Sequence, residues 1–320
     1  MSQLLSRYQL HALLLSVVIA MTSYLVFSLW SGWHQVSLAF LKIGIAGTLI
    51  ALTLSLLNYL LRFFRWQLYL QRMNANLAIA ASLRIYLAGF SLTTTPGKAG
   101  EMIRALLLNA YQVRTSTTLS AFVSERLSDL LAIVLLALLG LSQYPQWQPL
   151  VTLTLLLIIT GLGLLGNKAI IQRINTINIR PGTLRSRLHT LITTVLQQAR
   201  RCHSPSLLLI ATALSLIAWG AEALAFYYVL QWLSLEVSFA TAAFIYAISM
   251  LAGALSFLPG GLGSAEAVMV SLLTMNDMLL ADAVAATVFT RLVTLWFAVI
   301  LGIIALWRSQ SVQHDGGALR

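Results

Sequence analysis

The stretch Thr93-Thr94-Thr95-Pro96-Gly97-Lys98-Ala99-Gly100-Glu101-Met102-Ile103-Arg104 sets a proline, two glycines, three hydroxyls and three charges between apolar flanks. In hydrocarbon, backbone polar groups must be satisfied within the segment, so the flanks have to be helical. A break of this kind survives only where it is buried in protein or lines a wet cavity. Pro96 cannot continue a preceding helix, and Gly97 and Gly100 permit tight backbone. The segment therefore reads as two helix pieces joined by a polar elbow inside a membrane protein.

The rest of the chain supports that setting. About 20 mainly apolar residues cross a bilayer as a helix. By that measure spans fall at about 11–30, 41–61, 118–141, 149–166, 206–230, 238–257 and 284–307. Only 9% of residues are charged, against about 25% in a soluble domain, and the mean hydropathy is +0.85. The expected fold is an all-α, polytopic integral membrane helix bundle of seven or eight spans with two broken or re-entrant elbows. It forms a single transmembrane domain over 1–310, with a short polar tail at 311–320. Arg7 and the long run from Leu13 to Trp30 read as an uncleaved first span, because a signal peptide has a shorter apolar core and a small-residue cleavage site. Residues 76–110 are too interrupted for an ordinary span and read as a re-entrant hairpin. It would enter from the side of Arg62, Arg65 and Arg72, where Arg62-Phe63-Phe64-Arg65-Trp66 forms a basic-aromatic belt and residues 67–75 lie outside the core.

Charge orients the chain. Residues 167–205 hold Lys168, Arg173, Arg180, Arg185, Arg187, Arg200 and Arg201 and no acid, which marks the loop as cytoplasmic. The N-terminus is then cytoplasmic in a multi-pass protein of the plasma membrane. Leu184, Leu188, Leu191, Ile192, Val195 and Leu196 recur at helical spacing within that loop. They describe either an amphipathic helix on the cytoplasmic leaflet or a solvated linker helix. Eight crossings return the C-terminus inside; if 260–276 is re-entrant it ends outside. The formal charge of +11 sits mostly between apolar runs, where anionic headgroups explain it and nucleic acid does not. A single cysteine, Cys202, and five scattered histidines leave no metal-ligand spacing, so no metal or cofactor is expected.

Two features could carry function. Pro96-Gly97-x-x-Gly100 is matched by Pro259-Gly260-x-x-Gly263, 163 positions later, and each precedes a helix with a glutamate near its start, Glu101 and Glu266. Paired Gly/Pro-interrupted segments in corresponding halves point to a transporter site and to internal pseudo-symmetry. Helix N-termini there would present N–H groups to an anion such as a lipid phosphate. The plainer reading is two tight turns between packed helices. The second feature is an intramembrane charge network: Arg84, Lys98, Glu101, Arg104, Glu125, Arg126, Asp129, Glu222, Glu266 and Arg291 lie in or beside apolar runs, where ionisable groups are costly and usually functional. Catalytic motifs are lacking. Gly97-Lys98 is followed by Ala99 and preceded at the required glycine by Leu92, so it is no P-loop, and no G-x-S-x-G occurs.

Thr95-Pro96-Gly97-Lys98-Ala99-Gly100-Glu101 with Arg104 resembles the P-G-[RK]-x-G-E…R signature of the lysylphosphatidylglycerol synthase transmembrane-domain family. Glu125-Arg126-Leu127-Ser128-Asp129 resembles its E-R-x-x-D helix. Leu258-Pro259-Gly260-Gly261-Leu262-Gly263-Ser264-Ala265-Glu266 resembles its later elbow, and Arg62–Trp66 and Arg291 fit its basic-aromatic segment and last-helix arginine. The resemblance covers roughly residues 40–305. It implies a flippase-like domain that moves an anionic or phosphate-containing lipid: a phospholipid, a hopanoid or a polyprenyl-phosphate-linked species. The expected chain is a stand-alone relative without the aminoacyl-transferase domain, and not an enzyme. The candidate lipid or anion site is Arg62, Arg65, Pro96, Gly97, Lys98, Gly100, Glu101, Arg104, Pro259, Gly260 and Gly263. The alternatives are a non-catalytic partner of lipid or glycan biosynthesis enzymes and a membrane enzyme using Glu125 and Asp129 as acid and base. Expected partners are membrane lipids, further copies of the chain, or such enzymes.

Overall fold

The computed structural model describes Thr22 and residues 33–95, 100–177 and 182–315. The expected first span, apart from Thr22, lies outside the described residues, as do Pro96, Gly97, Lys98 and Ala99 of the first elbow and Arg180 of the basic loop. Among the described residues every regular element is helical. In chain order these are α1 (Trp33–Arg72), α2 (Ile79–Phe90), α3 (Ile103–Asn109), α4 (Thr115–Leu138), α5 (Gln148–Gly166), α6 (Lys168–Asn175) and α7 (Leu184–Arg201), followed by α8 (Pro205–Trp232), α9 (Phe239–Leu255), α10 (Ser264–Thr274), α11 (Leu280–Arg291) and α12 (Phe297–Asp315). A π-helical turn, Leu292–Trp296, joins α11 to α12. Among the described residues four stretches are long and apolar enough to cross a membrane: Val36–Arg72, Pro145–Gly166, Pro205–Trp232 and Leu280–Ser309.

Helix lengths sort the elements. α1 has 40 residues and would extend about 60 Å, twice the hydrocarbon thickness. It is broken at Gly44, where φ is 65°. By contrast α2 and α10, with 12 and 11 residues, reach only about 18 Å and 17 Å. Neither can cross alone, and each is turned back by an elbow.

The order of elements repeats. A long helix, a short helix, an elbow, a second short helix and another long helix occur as α1, α2, α3, α4 and again as α8, α9, α10 and α11–α12. Ile79 and Phe239, which begin the short helices, are 160 positions apart; Thr115 and Leu280, which begin the helices after the elbows, are 165 apart. The packing repeats with the order. α1 packs on α8 at the centre, α2 packs on α12 while α9 packs on α4, and α4 packs on α8 while α11 packs on α1. Each half therefore lays its elbow hairpin against the other half's following helix. The two elbows themselves touch: a Cβ built on Gly260 would lie 3.3 Å from Thr94 Cα.

Two expectations change. The Arg62–Trp66 segment is not an interfacial belt closing a span at 61. α1 continues to Arg72, and Arg62, Phe63, Arg65, Trp66 and Tyr69 are buried inside the bundle. Apolar outer faces of α1 (Leu41, Ile45, Leu49) show that one side still meets lipid, while acidic partners on other helices draw the arginine side inward. Among the described residues Arg84 does not join the charge network: its Nε reaches the Ala80 carbonyl one turn back. The basic loop forms α6 and α7. α7 leans on α4, where Ser120 Oγ donates to the Val195 carbonyl at 3.1 Å, and its Leu184, Leu188 and Ile192 stay exposed.

Close backbone approach holds α2 to α12. A Cβ built on Gly302 would sit 2.2 Å from Ser91 N. Gly302→Ala is therefore expected to cost about 1–3 kcal/mol by overpacking, read as a lower Tm in detergent. Gly163 on α5 meets nothing within 4 Å, so Gly163→Ala is expected to leave Tm unchanged or raise it by helix propensity.

Candidate functional site

Seven charged side chains from α1, the turn into α3, α3 itself and α4 meet inside the bundle. Arg62 and Arg65 lie one turn apart on α1 and face α4. Asp129 answers them: its Oδ1 is 2.7 Å from Arg65 Nη1 and its Oδ2 3.6 Å from Arg62 Nη2. Trp219 of α8 donates its indole N–H to the same Oδ1 at 3.0 Å, and Ser215, one turn before it, accepts from Arg65. The Ala218 carbonyl takes a bond from Asn58, whose own Oδ1 accepts from Arg62 at 3.5 Å.

The second part of the cluster is centred on Arg104. Its guanidinium bridges Glu101 Oε2 at 2.9 Å and Glu125 Oε2 at 3.0 Å. It stacks over Trp66 and Tyr86, with centroid distances of 4.6 Å and 5.3 Å. Gly89 on α2 makes room for it, since a Cβ there would come within 2.9 Å of the Arg104 stem. Thr93, just before the first elbow, donates to Glu101 Oε1 at 2.9 Å. Arg126 links the two parts, lying 3.2 Å from Asp129 Oδ2 and 3.6 Å from Glu101 Oε2. Its side chain is 23% exposed, against 7% or less for the other members of these pairs.

Four guanidiniums face three carboxylates here. The charge balance closes only over the whole interior, where Glu222 and the Glu266–Arg291 pair bring the count among the described residues to five arginines and five acids. Glu222 sits elsewhere, accepting from Tyr246 of α9. Within the cluster, Arg62 Nε and Arg65 Nε and Nη2 are buried and make no hydrogen bond among the described residues. Buried charged donors are costly unless paired. Glu125 Oε1 and Asp129 Oδ2 are likewise buried without a hydrogen-bond partner among the described residues, so the cluster leaves both donors and acceptors over.

The elbows behave differently from the expectation. At the second, Gly260, Gly261 and Gly263 all take positive φ. Arg291 donates from Nη2 to the Gly260 carbonyl at 2.8 Å and from Nε to Glu266 Oε1 at 2.7 Å. The other Glu266 oxygen accepts the Gly263 N–H at 2.6 Å, so the protein's own carboxylate already occupies the N-terminus of α10. At the first elbow the Gly100 N–H goes to Thr95 Oγ1 at 2.6 Å. These two elbow N–H groups are taken, whereas the Thr94 hydroxyl of the first elbow and several arginine nitrogens of the cluster are buried without a hydrogen-bond partner among the described residues. Pro259 is exposed.

The structure thus brings together Arg62, Arg65, Glu101, Arg104, Glu125, Arg126 and Asp129, pairs Glu266 with Arg291 near Gly260 and Gly263, and leaves Arg84 apart. Sequence reasoning missed Asn58, Ser215, Trp219 and Thr93. A signal did exist for α8: Ser215, Trp219 and Glu222 recur at i, i+4, i+7 on one face of an otherwise apolar helix.

A family model described as the lysylphosphatidylglycerol synthase TM region matches residues 10–302. A UPF0104 membrane protein of Pyrococcus horikoshii is 21% identical over 93% of this chain and 97% of its own length. A UPF0104 membrane protein of Methanothermobacter thermautotrophicus is 36% identical over a shorter region, 28% of this chain and 27% of its own. With nearly the whole chain covered and the elbow, E-R-x-x-D and last-helix arginine positions in place, this multi-pass membrane protein belongs to the lysylphosphatidylglycerol synthase transmembrane-region family.

Proposed function

We propose that the protein translocates an anionic or phosphate-containing lipid between leaflets, with the buried arginine cluster as the transient headgroup site. The observation that carries this reading is the local imbalance of four guanidiniums against three carboxylates, with buried donors on Arg62 and Arg65 that no described protein group accepts. A phosphate has the charge and the acceptor oxygens to take them. Arg126, the most exposed member, is the point of entry. Repeated elbow hairpins packed crosswise supply two similar bodies that can rock against each other around a fixed site, which is how repeat-built transporters alternate access. The family's printed description adds a lipid setting. The protein would work in the cytoplasmic membrane with its N-terminus inside, the ends of α1 and α7 carrying Arg72, Arg200 and Arg201 on the cytoplasmic side.

Hydrolysis or transfer chemistry fits less well. Glu125 is engaged by Arg104, and Asp129 by Arg65, Arg62 and Trp219. Each carboxylate is thus committed to a guanidinium, which disfavours its service as a general acid.

Removing one partner of a buried ion pair strands the other. Asp129→Asn is expected to lower stability by about 3–5 kcal/mol, checked by thermal unfolding in detergent; an unchanged Tm would mean that Arg65 has another counterion. Transport is tested separately in proteoliposomes with a fluorescent phosphatidylglycerol. Arg126→Gln removes two charged contacts at a partly exposed position, while Glu101 keeps Arg104 and Asp129 keeps Arg65, so the chain should fold while transfer falls about tenfold or more. Arg84→Gln should transfer as the wild type does. Normal transfer by Arg126→Gln would overturn the site assignment, and no transfer by the wild type would favour an assembly partner.

A further inference from the structure

About two helical turns beyond Arg65, α1 ends at Arg72 beside the end of α7 and the start of α8. A cleft of about 620 Å³ opens there, lined by Arg72, Arg200, Arg201, His203 and Ser204, with Gly166 and Pro205 closing it. No acidic side chain lines it. Arg200 is held in place by its Nε, which donates to the Gly166 carbonyl at 3.3 Å. His203 Nδ1 donates to the Ala199 carbonyl at 2.7 Å. The other ring nitrogen, Nε2, is buried and has no partner among the described residues, and the same holds for Ser204 Oγ. Ser204 is the residue before α8, yet its hydroxyl does not cap that helix. Three guanidiniums, an unused hydroxyl and the first turn of a 28-residue helix thus converge on one space.

The neighbouring surface identifies the kind of ligand. A second cleft of about 360 Å³ shares Arg72 and Ser204 with the first and continues over Leu68, Leu207 and Ile210, with Gln71 and Ser206 beside them. A charged chamber running into a trough with three aliphatic side chains suits an amphiphile. A small free anion would use only the first half. The position, at the ends of apolar helices beside a loop rich in basic residues, is where a headgroup lies.

We infer that this cleft is a second, peripheral lipid site that holds the phosphate of an anionic headgroup on Arg72, Arg200 and Arg201, with an acyl chain laid along Leu68, Leu207 and Ile210. It is separate from the buried cluster and does not depend on transport by that cluster. The recognition chemistry is phosphate binding, and the aliphatic side chains of Leu68, Leu207 and Ile210 in the adjoining cleft assign the phosphate to a lipid.

Native mass spectrometry of the full chain in detergent, titrated with phosphatidylglycerol or phosphatidylcholine, tests this. The wild type should retain phosphatidylglycerol in preference to phosphatidylcholine. Arg72→Gln with Arg201→Gln should weaken that adduct about twenty-fivefold, at about fivefold per arginine near a membrane surface, while Arg84→Gln, which belongs to neither site, leaves it intact. Both arginines are exposed, and an unchanged Tm verifies that the double variant is folded. The Lys double variant, which keeps the charge, should retain the adduct. Equal binding by the Gln double variant and the wild type would overturn the site, as would equal retention of the two lipids. Displacement of phosphatidylglycerol by excess inorganic phosphate, with phosphate itself retained, would overturn the lipid assignment and leave a free-phosphate site.

Discussion

The contact between Arg65 and Asp129 is the interaction on which the interior depends. Arg65 is fully buried, and its helix faces lipid on the opposite side. A guanidinium there is tolerable only with a carboxylate at hydrogen-bonding distance, and Asp129 supplies one at 2.7 Å. That pairing sets the rotation of α1 against α4, and the Trp219 and Ser215 bonds tie α8 to the same point. Three long helices are thereby keyed to one carboxylate. In a bundle whose outer faces are as apolar as lipid, packing by hydrophobic contrast is weak, and polar keys of this kind together with close small-residue contacts define the arrangement.

The small-residue contacts serve the repeat. Gly302 lets α12 approach the backbone at Ser91, and Gly261 lies against Gly253 where α9 turns into the second elbow. Each is a place where one hairpin is pressed onto a neighbouring element more closely than a side chain would allow. Crosswise packing of α2 on α12 and of α9 on α4 means that neither half is complete alone. Shear between the halves would move both elbows together, because Thr94 and Gly260 are in contact at their meeting point.

Much of this was legible in the chain, and the parts that were not have a common cause. The elbows announced themselves through Pro259-Gly260-Gly261-Leu262-Gly263, whose positive-φ glycines the structure displays. The buried acids and Arg104, Arg126 and Arg291 announced themselves as charges in apolar runs. Arg62 and Arg65 were recognised as functional but assigned to an interface, since a basic-aromatic segment at the end of an apolar run has the same local composition whether it is solvated or paired. The deciding partner, Asp129, is 64 positions away from Arg65, beyond any local pattern. Trp219 and Ser215 were missed for the same reason. Their polar atoms are ordinary on α8 until Asp129 and Arg65 are placed beside them. At the second elbow the helix N-terminus expected to meet an anion is capped from within, because Glu266, three residues into its helix, reaches back to it; Pro96, Gly97, Lys98 and Ala99 of the first elbow lie outside the described residues.

Comparing the halves separates a shared feature from a specialised one. Glu101 and Glu266 are 165 positions apart, and so are Arg126 and Arg291. Each glutamate follows its elbow, and each arginine lies on the following helix and contacts it, at 3.6 Å in the first half and 2.7 Å in the second. The Glu–Arg contact is therefore a property of the repeat: it holds an elbow to the helix that comes after. The same offset places Thr290 opposite Glu125 and Thr294 opposite Asp129, so the second half lacks both additional acids. Those acids accompany Arg62, Arg65 and Arg104 in the first half alone. In the second half the latch is tight, and Arg291 is also committed to the Gly260 carbonyl. In the first half Arg126 is shared between Glu101 and Asp129 and reaches solvent. The second elbow's glutamate is thus held by its repeat arginine, while Glu101 is held chiefly by the buried Arg104 at 2.9 Å, with Arg126 adding a looser contact at 3.6 Å. That difference, more than either elbow alone, sets the two repeats apart: the extra acids, Glu125 and Asp129, and the most exposed arginine of the buried cluster, Arg126, all lie in the first.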